Sequence, residues 1–340
     1  MKKIVMTGGG TGGHLAIVKS LKETLKGRAD LIYIGSTSGQ DRKWFEEDTD
    51  FGSKFFLESR GVVDRGFVGK IGSLSKMSGA FLQSLKILKS EKVDLVFSVG
   101  GYSSAPASMA SIVLGIPLVI HEQNASVGTL NRILRPFSRA FISSYDPESP
   151  ISEYPTADIF FEKARVREKI ETVIFLGGSQ GAVAINDIAR SLTPVLKKRG
   201  ISIIHQAGEK NLESMKKFYE EEGVDAELFG FSDRLPEYMS RADFAIARAG
   251  ASTLWELASN ALPTLFIPYP YAAGDHQYHN ALYLSSRNMG WVMRENELDM
   301  EKIVELLDSD PSPVSSRLIE SVRSDGSEKC ADLLLELASS

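Results

Sequence analysis

Apolar positions along this chain recur at two spacings in alternation. Lys3 to Thr7 is a short β-favouring run, Gly8 to Gly13 is almost all glycine, and Leu15 to Leu25 recurs at helical spacing, which reads as strand, tight loop, helix. Further strand-like runs come at Leu31 to Ile34, Leu95 to Val99, Pro117 to His121 and Ala140 to Ser143. Helical stretches such as Ala105 to Leu114 and Thr129 to Leu134 lie between them. Alternation of this kind predicts a parallel sheet covered on both faces. Around 145–157 the pattern lapses into Tyr145-Asp146-Pro147-Glu148-Ser149-Pro150 and Tyr154-Pro155-Thr156, which predicts a linker. Then the plan restarts, with a strand at Thr172 to Leu176, a second glycine loop at Gly177-Gly178-Ser179-Gln180-Gly181 and a helix over Ala182 to Lys198. Strands are expected after it at Ile201 to His205, Glu227 to Phe231, Asp243 to Ala247 and Thr264 to Ile267.

The repetition predicts two α/β domains, 1–153 and 154–325. A closing segment, 326–340, carries Leu333-Leu334-Leu335 and Leu337 on a helix from Ser327 to Leu337. That helix needs a surface to cover and is expected to cross back to the first domain. Two glycine-looped domains on one linker also predict a ligand cleft between them. Open α/β sheets bind ligands outside the carboxyl ends of their strands. Three clusters of the first domain belong on that rim: the glycine loop, Gly100-Gly101-Tyr102-Ser103-Ser104, and His121-Glu122-Gln123-Asn124.

Composition narrows the chemistry. At 340 residues and 43% hydrophobic content, the chain can bury two cores. A net charge of -5 argues against nucleic acid as partner, since such binding neutralises many phosphates. The single cysteine, Cys330, excludes an internal disulfide, and with only five histidines a zinc site is not expected. The apolar run after Lys2 and Lys3 is cut short by glycines, unlike a signal peptide. Met109 to Ile120 is broken by Ser111, Gly115 and Pro117, well short of the roughly 20 apolar residues of a spanning helix. Membrane contact is therefore expected to be peripheral. Arg60 to Lys92 suits it, with seven basic residues against Asp64 and Glu91. Within that stretch Ile71, Leu74, Met77, Phe81, Leu85 and Leu88 fall on one helical face, which serves either a core or, with Lys70 and Lys76, an anionic lipid surface. Asp48-Thr49-Asp50 and Asp308-Ser309-Asp310 follow no core strand and read as loops.

Glycines let a backbone approach a ligand, and a helix start offers unpaired N–H groups and a positive dipole end to an anion. Gly8-x-Gly10-x-x-Gly13 fits a dinucleotide loop. However, the acid expected ~20 residues on, at the end of the second strand, is replaced by Gly35-Ser36-Thr37. His14 opens the helix, where the dipole favours the neutral imidazole a general base needs. In the second domain, Arg248-Ala249-Gly250-Ala251-Ser252-Thr253-Leu254-Trp255-Glu256 opens a helix with small and hydroxyl residues. Such a start suits phosphate or sugar, and Glu256 suits two ribose hydroxyls; a capped helix with a surface glutamate is the plainer alternative. Gln277 and Asn280, in Asp275-His276-Gln277-Tyr278-His279-Asn280, suit sugar hydroxyls or a polar helix start.

In order, GGGTGGH at Gly8 to His14, GGYSSAP at Gly100 to Pro106, HEQN at His121 to Asn124, GGSQGA at Gly177 to Ala182, RAGASTLWE at Arg248 to Glu256 and DHQYHNA at Asp275 to Ala281 span nearly the whole chain. Together they resemble the MurG family of peptidoglycan glycosyltransferases. The resemblance implies a GT-B fold of two Rossmann-like domains with parallel sheets facing across a cleft. It also implies UDP-N-acetylglucosamine as donor, the lipid-linked muramyl pentapeptide (lipid I) as acceptor, and lipid II and UDP as products. On this resemblance the donor site falls on Thr11, Gly12, Gly13, Asn124, Ser179, Ser232, Ala251, Ser252, Thr253, Leu254, Glu256 and Gln277, with Phe231 beside the uracil and Arg248 and Asn280 as neighbours. His14 takes the position of the base, with Glu122 a second candidate. No cofactor or metal is implied. The place is the cytoplasmic face of the bacterial inner membrane, and wall-synthesis and division proteins are the implied company. The family's linker arginine is absent at the matching place, Tyr154-Pro155-Thr156-Ala157, and the proline usual three residues after the histidine is Ile17. Two other classes fit a chain of this fold: a UDP-N-acetylglucosamine 2-epimerase, which needs no acceptor, and a non-catalytic nucleotide-sugar-binding partner.

Overall fold

The computed structural model describes residues 1–59, 67–178 and 181–340, with side chains of the helix Phe67–Ser90 described from residue 76 onward. Arg60 and Arg65, the side chains of Lys70, Ile71 and Leu74, and Ser179 lie outside the described residues. The chain divides into two compact units, residues 1–156 with 325–340, and residues 157–324.

Among the described residues the first unit holds six strands: β1 (Lys3–Thr7), β2 (Asp30–Ser36), β3 (Ser53–Leu57), β4 (Leu95–Ser98), β5 (Leu118–His121) and β6 (Ala140–Ile142). They run parallel in the order β3-β2-β1-β4-β5-β6. The second unit repeats the plan with β7 (Thr172–Leu176), β8 (Ser202–Gln206), β9 (Ala226–Phe229), β10 (Phe244–Ala247), β11 (Thr264–Phe266) and β12 (Trp291–Val292), in the order β12-β11-β10-β7-β8-β9. Helices cover both faces of a parallel sheet, so central strands such as Lys3-Ile4-Val5-Met6-Thr7 and Thr172-Val173-Ile174-Phe175-Leu176 are apolar almost throughout.

The cores are separate. Val5, Ile32, Ile34, Val96 and Ile120 meet Ala80, Leu88, Ala107 and Ala110 in the first unit. Val173, Phe175, Ile203, Phe244 and Ile246 meet Ile185, Ile188, Leu192 and Leu196 in the second. Each valine, leucine, isoleucine or phenylalanine among them contributes about 1.5–3 kcal/mol when withdrawn from water.

Edges and ends depart from the sequence reading. β3 and β12 have no counterpart in it, because an edge strand has one neighbour and a mixed pattern: four of five positions in β3 are only half-buried. The strand expected over Glu227 to Phe231 stops at Phe229, and the Phe231 ring turns outward, 53% exposed. Of the expected linker, everything up to Thr156 belongs to the first unit; Ile151, Tyr154 and Thr156 are buried, and the Tyr154 ring meets His121 edge-on at 5.7 Å. The last helix, Gly326–Leu337, packs on Gly12–Leu25 in that unit. Ser327 Oγ and Ser20 Oγ are 2.7 Å apart, and Arg28 pairs with Glu328 and Asp332. Asp48 and Asp50 hold the buried Lys22 ammonium at 2.7 and 2.9 Å, and Asp308 pairs with Arg199.

Candidate functional site

In each sheet the strand order reverses beside the first strand of the unit, between β1 and β4 and between β7 and β10. Loops leaving such adjacent strands in opposite directions open a crevice at their carboxyl ends. A polar half-site lies there in each unit.

In the first unit the glycine loop is fastened from beneath by a residue the sequence reading passed over. Asp41, fully buried at the start of the helix Asp41–Phe45, accepts from Gly10 N–H at 2.8 Å through Oδ2. Through Oδ1 it accepts from Ser36 N–H at 3.0 Å and the Tyr33 hydroxyl at 3.1 Å. Tyr33 OH also lies 3.0 Å from the Gly8 carbonyl. A Cβ on Gly9 would stand 2.5 Å from Asp41 Oδ1, so that position admits glycine alone. The acid sought at the end of the second strand thus exists, one short turn later, and it serves the loop. Burial together with the Asp41 carboxylate raises the Tyr33 phenol far above its ordinary range, keeping it a proton donor.

The same loop carries Thr11 and His14. Thr11 Oγ1 and His14 Nδ1 lie 2.7 Å apart, while His14 Nε2 points toward Gly101, 3.6 Å from where a Cβ would stand. Gly101 has φ +78°, and its missing side chain would also meet the Gly9 carbonyl at 2.8 Å. A side chain there would be too close to the Gly9 carbonyl, and its Cβ would sit in ordinary contact with the imidazole. The helix Gly12–Leu25 has no side-chain cap, so its first N–H groups are turned to the rim without one.

At the end of β5, Glu122 is buried and saturated. Oε1 accepts from Asn124 N–H at 3.0 Å and Asn124 Nδ2 at 3.4 Å, and Oε2 from Gly128 N–H at 2.9 Å and Asn131 Nδ2 at 2.8 Å. Four donors leave little lone-pair capacity for a substrate proton, so the geometry makes this candidate base a clamp on residues 122–131. Its neighbour His121 is fully buried; burial, with a smaller effect from the charge of His14, pushes its imidazole down to about 3. Neither His121 nitrogen has a hydrogen-bond partner among the described residues.

In the second unit's half-site the glycine loop is fastened by a neutral amide. Gly178 N–H donates to Gln206 Oε1 at 3.1 Å. The helix Val183–Arg199 beyond the loop, like Ala251–Ser259 after β10, starts without a side-chain cap. Gln277 Oε1 accepts from Ala249 N–H at 3.2 Å and Tyr269 N–H at 3.0 Å, tying together the loops after β10 and β11. Glu256 is half-buried; its carboxylate accepts from Ser252 Oγ at 2.8 Å, and burial raises its pKa while Ser252 opposes the rise. Ser232 Oγ accepts from Arg234 N–H at 3.1 Å, and the exposed Phe231 ring lies beside it.

Several expected contact residues face inward instead. Leu254 is fully buried and Ala251 nearly so, so they offer backbone rather than side chain, and Thr253 is half-buried. Asn280, also fully buried, donates to the Ala249 carbonyl at 3.2 Å. Arg248 donates to the carbonyls of Ile267 and Pro268 at 3.1 and 3.2 Å and pairs with Glu295. Its guanidinium therefore fastens loops rather than facing solvent. The structure thus gathers Thr11, Gly12, Gly13, His14 and Asn124 in one unit and Glu256, Gln277 and Phe231 in the other. Asp41 and Gln206 are the residues that sequence reasoning missed. A polar side chain within a few residues of the strand next to each glycine loop was the available signal.

The sequence model of the glycosyltransferase family 28 N-terminal domain matches residues 4–142, and that of the C-terminal domain matches residues 172–330. The chain is similar to a protein of Sulfurovum sp. (strain NBC37-1) named UDP-N-acetylglucosamine--N-acetylmuramyl-(pentapeptide) pyrophosphoryl-undecaprenol N-acetylglucosamine transferase, 57% identical over 337 residues, 99% of each chain. A protein of the same name from Wolinella succinogenes is 53% identical over 98% of this chain and 99% of its own. Among solved structures, Acinetobacter baumannii MurG superposes with a TM-score of 0.81 at 24% identity, over 99% of this chain and all of its own. A UDP-N-acetylglucosamine 2-epimerase superposes at 0.65 and 10% identity, over 100% of this chain and 97% of its own. At those identities the superpositions speak to fold, which is GT-B. With both halves of one family matched in order and relatives alike from end to end, the chain belongs to glycosyltransferase family 28, in its MurG line.

Proposed function

We propose that the protein transfers N-acetylglucosamine from UDP-N-acetylglucosamine to the C4 hydroxyl of the muramyl sugar of lipid I, inverting the anomeric carbon and yielding lipid II and UDP. The observation that carries this reading is the 57% identity, over 99% of both chains, to a relative named for that transfer. The half-sites supply the parts. For His14 to act as base, its Nδ1–H donates to Thr11 Oγ1 and its Nε2 lone pair takes the proton of the C4 hydroxyl. As the bond from the C4 oxygen to the anomeric carbon forms, the bond from that carbon to the diphosphate oxygen breaks and UDP leaves with the electron pair. Amides of the second glycine loop and the uncapped start of Val183–Arg199 offset the growing charge on the diphosphate. Glu256 accepts ribose hydroxyls, Gln277 meets the sugar, and Phe231 covers the base.

UDP release measured with and without a lipid I analogue tests the reading. Release must depend on the acceptor; formation of UDP-N-acetylmannosamine from donor alone, or tight nucleotide binding with no release, would overturn it.

Docking on the cytoplasmic face of an anionic membrane belongs to the same proposal. Among the described residues, no helix is long and apolar enough to cross a membrane. Leu82, on Phe67–Ser90, is 58% exposed, and Val113, on the adjoining Ala105–Leu114, is 67% exposed with Met109 one turn before it. Lys86 and Lys89 are exposed on the first of these helices. Phe81 packs instead against the core, and Lys76 pairs with Glu58 at 3.1 Å; the apolar contact thus passes to Leu82. Co-sedimentation with anionic vesicles should fall sharply for Leu82→Glu/Val113→Glu, and unchanged binding would reject this face.

A further inference from the structure

Asp41 has no part in the transfer step assigned so far, yet its carboxylate is fully buried and accepts from three donors. Its three donors come from two segments: Gly10 in the glycine loop, and Tyr33 and Ser36 of β2. A fully buried carboxylate is costly unless its lone pairs are met. Here two of the three donors are backbone N–H groups, one in the glycine loop and one at the end of β2, so neither Gly10 nor Ser36 can move without leaving the carboxylate unpaired. Gly9 presses against the same oxygen. One residue beyond Gly10 is Thr11, whose hydroxyl holds His14 Nδ1 at 2.7 Å.

We infer that Asp41 is a positioning residue of the transfer reaction: by holding Gly10 N–H it sets the glycine loop in the shape that presents Thr11 to His14. The inference goes beyond the proposed function and rests on its reading of His14 as base. Asparagine has the shape of aspartate but only one acceptor oxygen. The orientation that keeps Ser36 N–H and Tyr33 OH paired turns the new NH2 against Gly10 N–H, donor facing donor. Asp41→Asn therefore releases the loop while leaving the β2 attachment in place.

The test is a double-mutant cycle on the full-length enzyme. Asp41→Asn is expected to lower kcat by up to about 100-fold, the cost of misplacing a reacting group by about 1 Å. KM for UDP-N-acetylglucosamine should change less than kcat, because Glu256, Gln277 and Phe231, proposed above to hold the nucleotide sugar, lie in the second unit. In a His14→Ala background the same substitution should cost less than about threefold, since the group it positions is gone. Equal losses in both backgrounds, or no loss in either, overturn the positioning role. A His14→Ala enzyme with wild-type kcat is a different result and overturns the base assignment first.

A second measurement does not depend on residual turnover. Long-range 1H–15N spectra of the ring, assigned by comparison with His14→Ala, should show the Nδ1–H tautomer of His14 in the wild type and a mixture in Asp41→Asn; an unchanged tautomer rejects the inference. Should Asp41→Asn fail to fold, Tyr33→Phe carries the same cycle, because it removes a donor to Asp41 and a tie to the Gly8 carbonyl without changing charge. Its loss of kcat must likewise vanish when His14 is absent, and persistence of the loss counts against Asp41.

Discussion

The first glycine loop and the second occupy equivalent places in their sheets, and they are held from below by opposite chemistry. Gly10 N–H is taken by the carboxylate of Asp41, and Gly178 N–H by the neutral amide of Gln206. Both fasteners come from the region of the neighbouring strand, β2 in one unit and β8 in the other. The difference matters for an incoming diphosphate. A phosphate about 6 Å from a carboxylate is repelled by about 3 kcal/mol at an effective dielectric of about 20. Among the described residues, the acceptor under the second loop, Gln206, is uncharged and does not oppose the dipole of the following helix. Similar glycine patterns can therefore divide the labour of one reaction, the second suited to an anionic leaving group and the first to a neutral hydroxyl and its base.

Erasing this difference should have the largest effect. Gln206→Glu keeps an acceptor for Gly178 N–H but adds a charge under the second loop, and KM for UDP-N-acetylglucosamine should rise about 100-fold at low ionic strength, less in added salt. Steady-state kinetics across a salt series would show it; an unaltered KM would mean that the diphosphate does not sit over Gln206.

Glu122→Gln comes next and separates clamp from base. Turning one acceptor oxygen into a donor among four donors should destabilise the fold by about 1–3 kcal/mol, read as a lower Tm, while kcat of the folded enzyme falls less than about tenfold. A collapse of kcat at unchanged Tm would return Glu122 to the chemistry.

The smallest effect concerns the buried histidine that sits at or next to the end of a strand in each unit. His121 and His205 are both held near 3 by burial, with His14 and Arg190 as the lesser causes. The unfolded imidazoles titrate near 6.5, so the unfolded chain binds more protons below that pH. Stability is then full above about pH 6.5 and falls as the pH drops toward 3. Each histidine should cost roughly 1 kcal/mol by pH 5.5. His205, bonded to Tyr219 OH at 2.9 Å and Asn186 Oδ1 at 3.0 Å, offers the cleaner case: denaturant unfolding of His205→Gln should show a slope against pH shallower by one proton.

Much of this was legible along the chain because it is local. Apolar runs and glycine loops mark central strands and helix starts, and β7 and the helices Ala105–Leu114 and Thr129–Leu134 fall where their periodicity puts them. Edge strands were not legible, since half-buried positions carry no clean alternation. Nor was the inward turn of Arg248, Leu254 and Asn280, because a helix start shows which residues are near a site and not which way each one points. Arg167 illustrates the same limit. Nothing in its neighbourhood along the chain marks it, yet it is fully buried, donating to carbonyls of Arg165, Met239, Ala242 and Asn260, and burial lowers its pKa to about 9.

What the order of residues determined by itself was the repeated strand–loop–helix plan, the two loops, and the kinship written in six motifs, all properties of neighbours within a turn or a strand. Only the tertiary structure decided how each loop is charged. Asp41 and Gln206 act on glycines 31 and 28 positions away, and such contacts exist only after parallel strands have paired and brought their carboxyl ends to one rim.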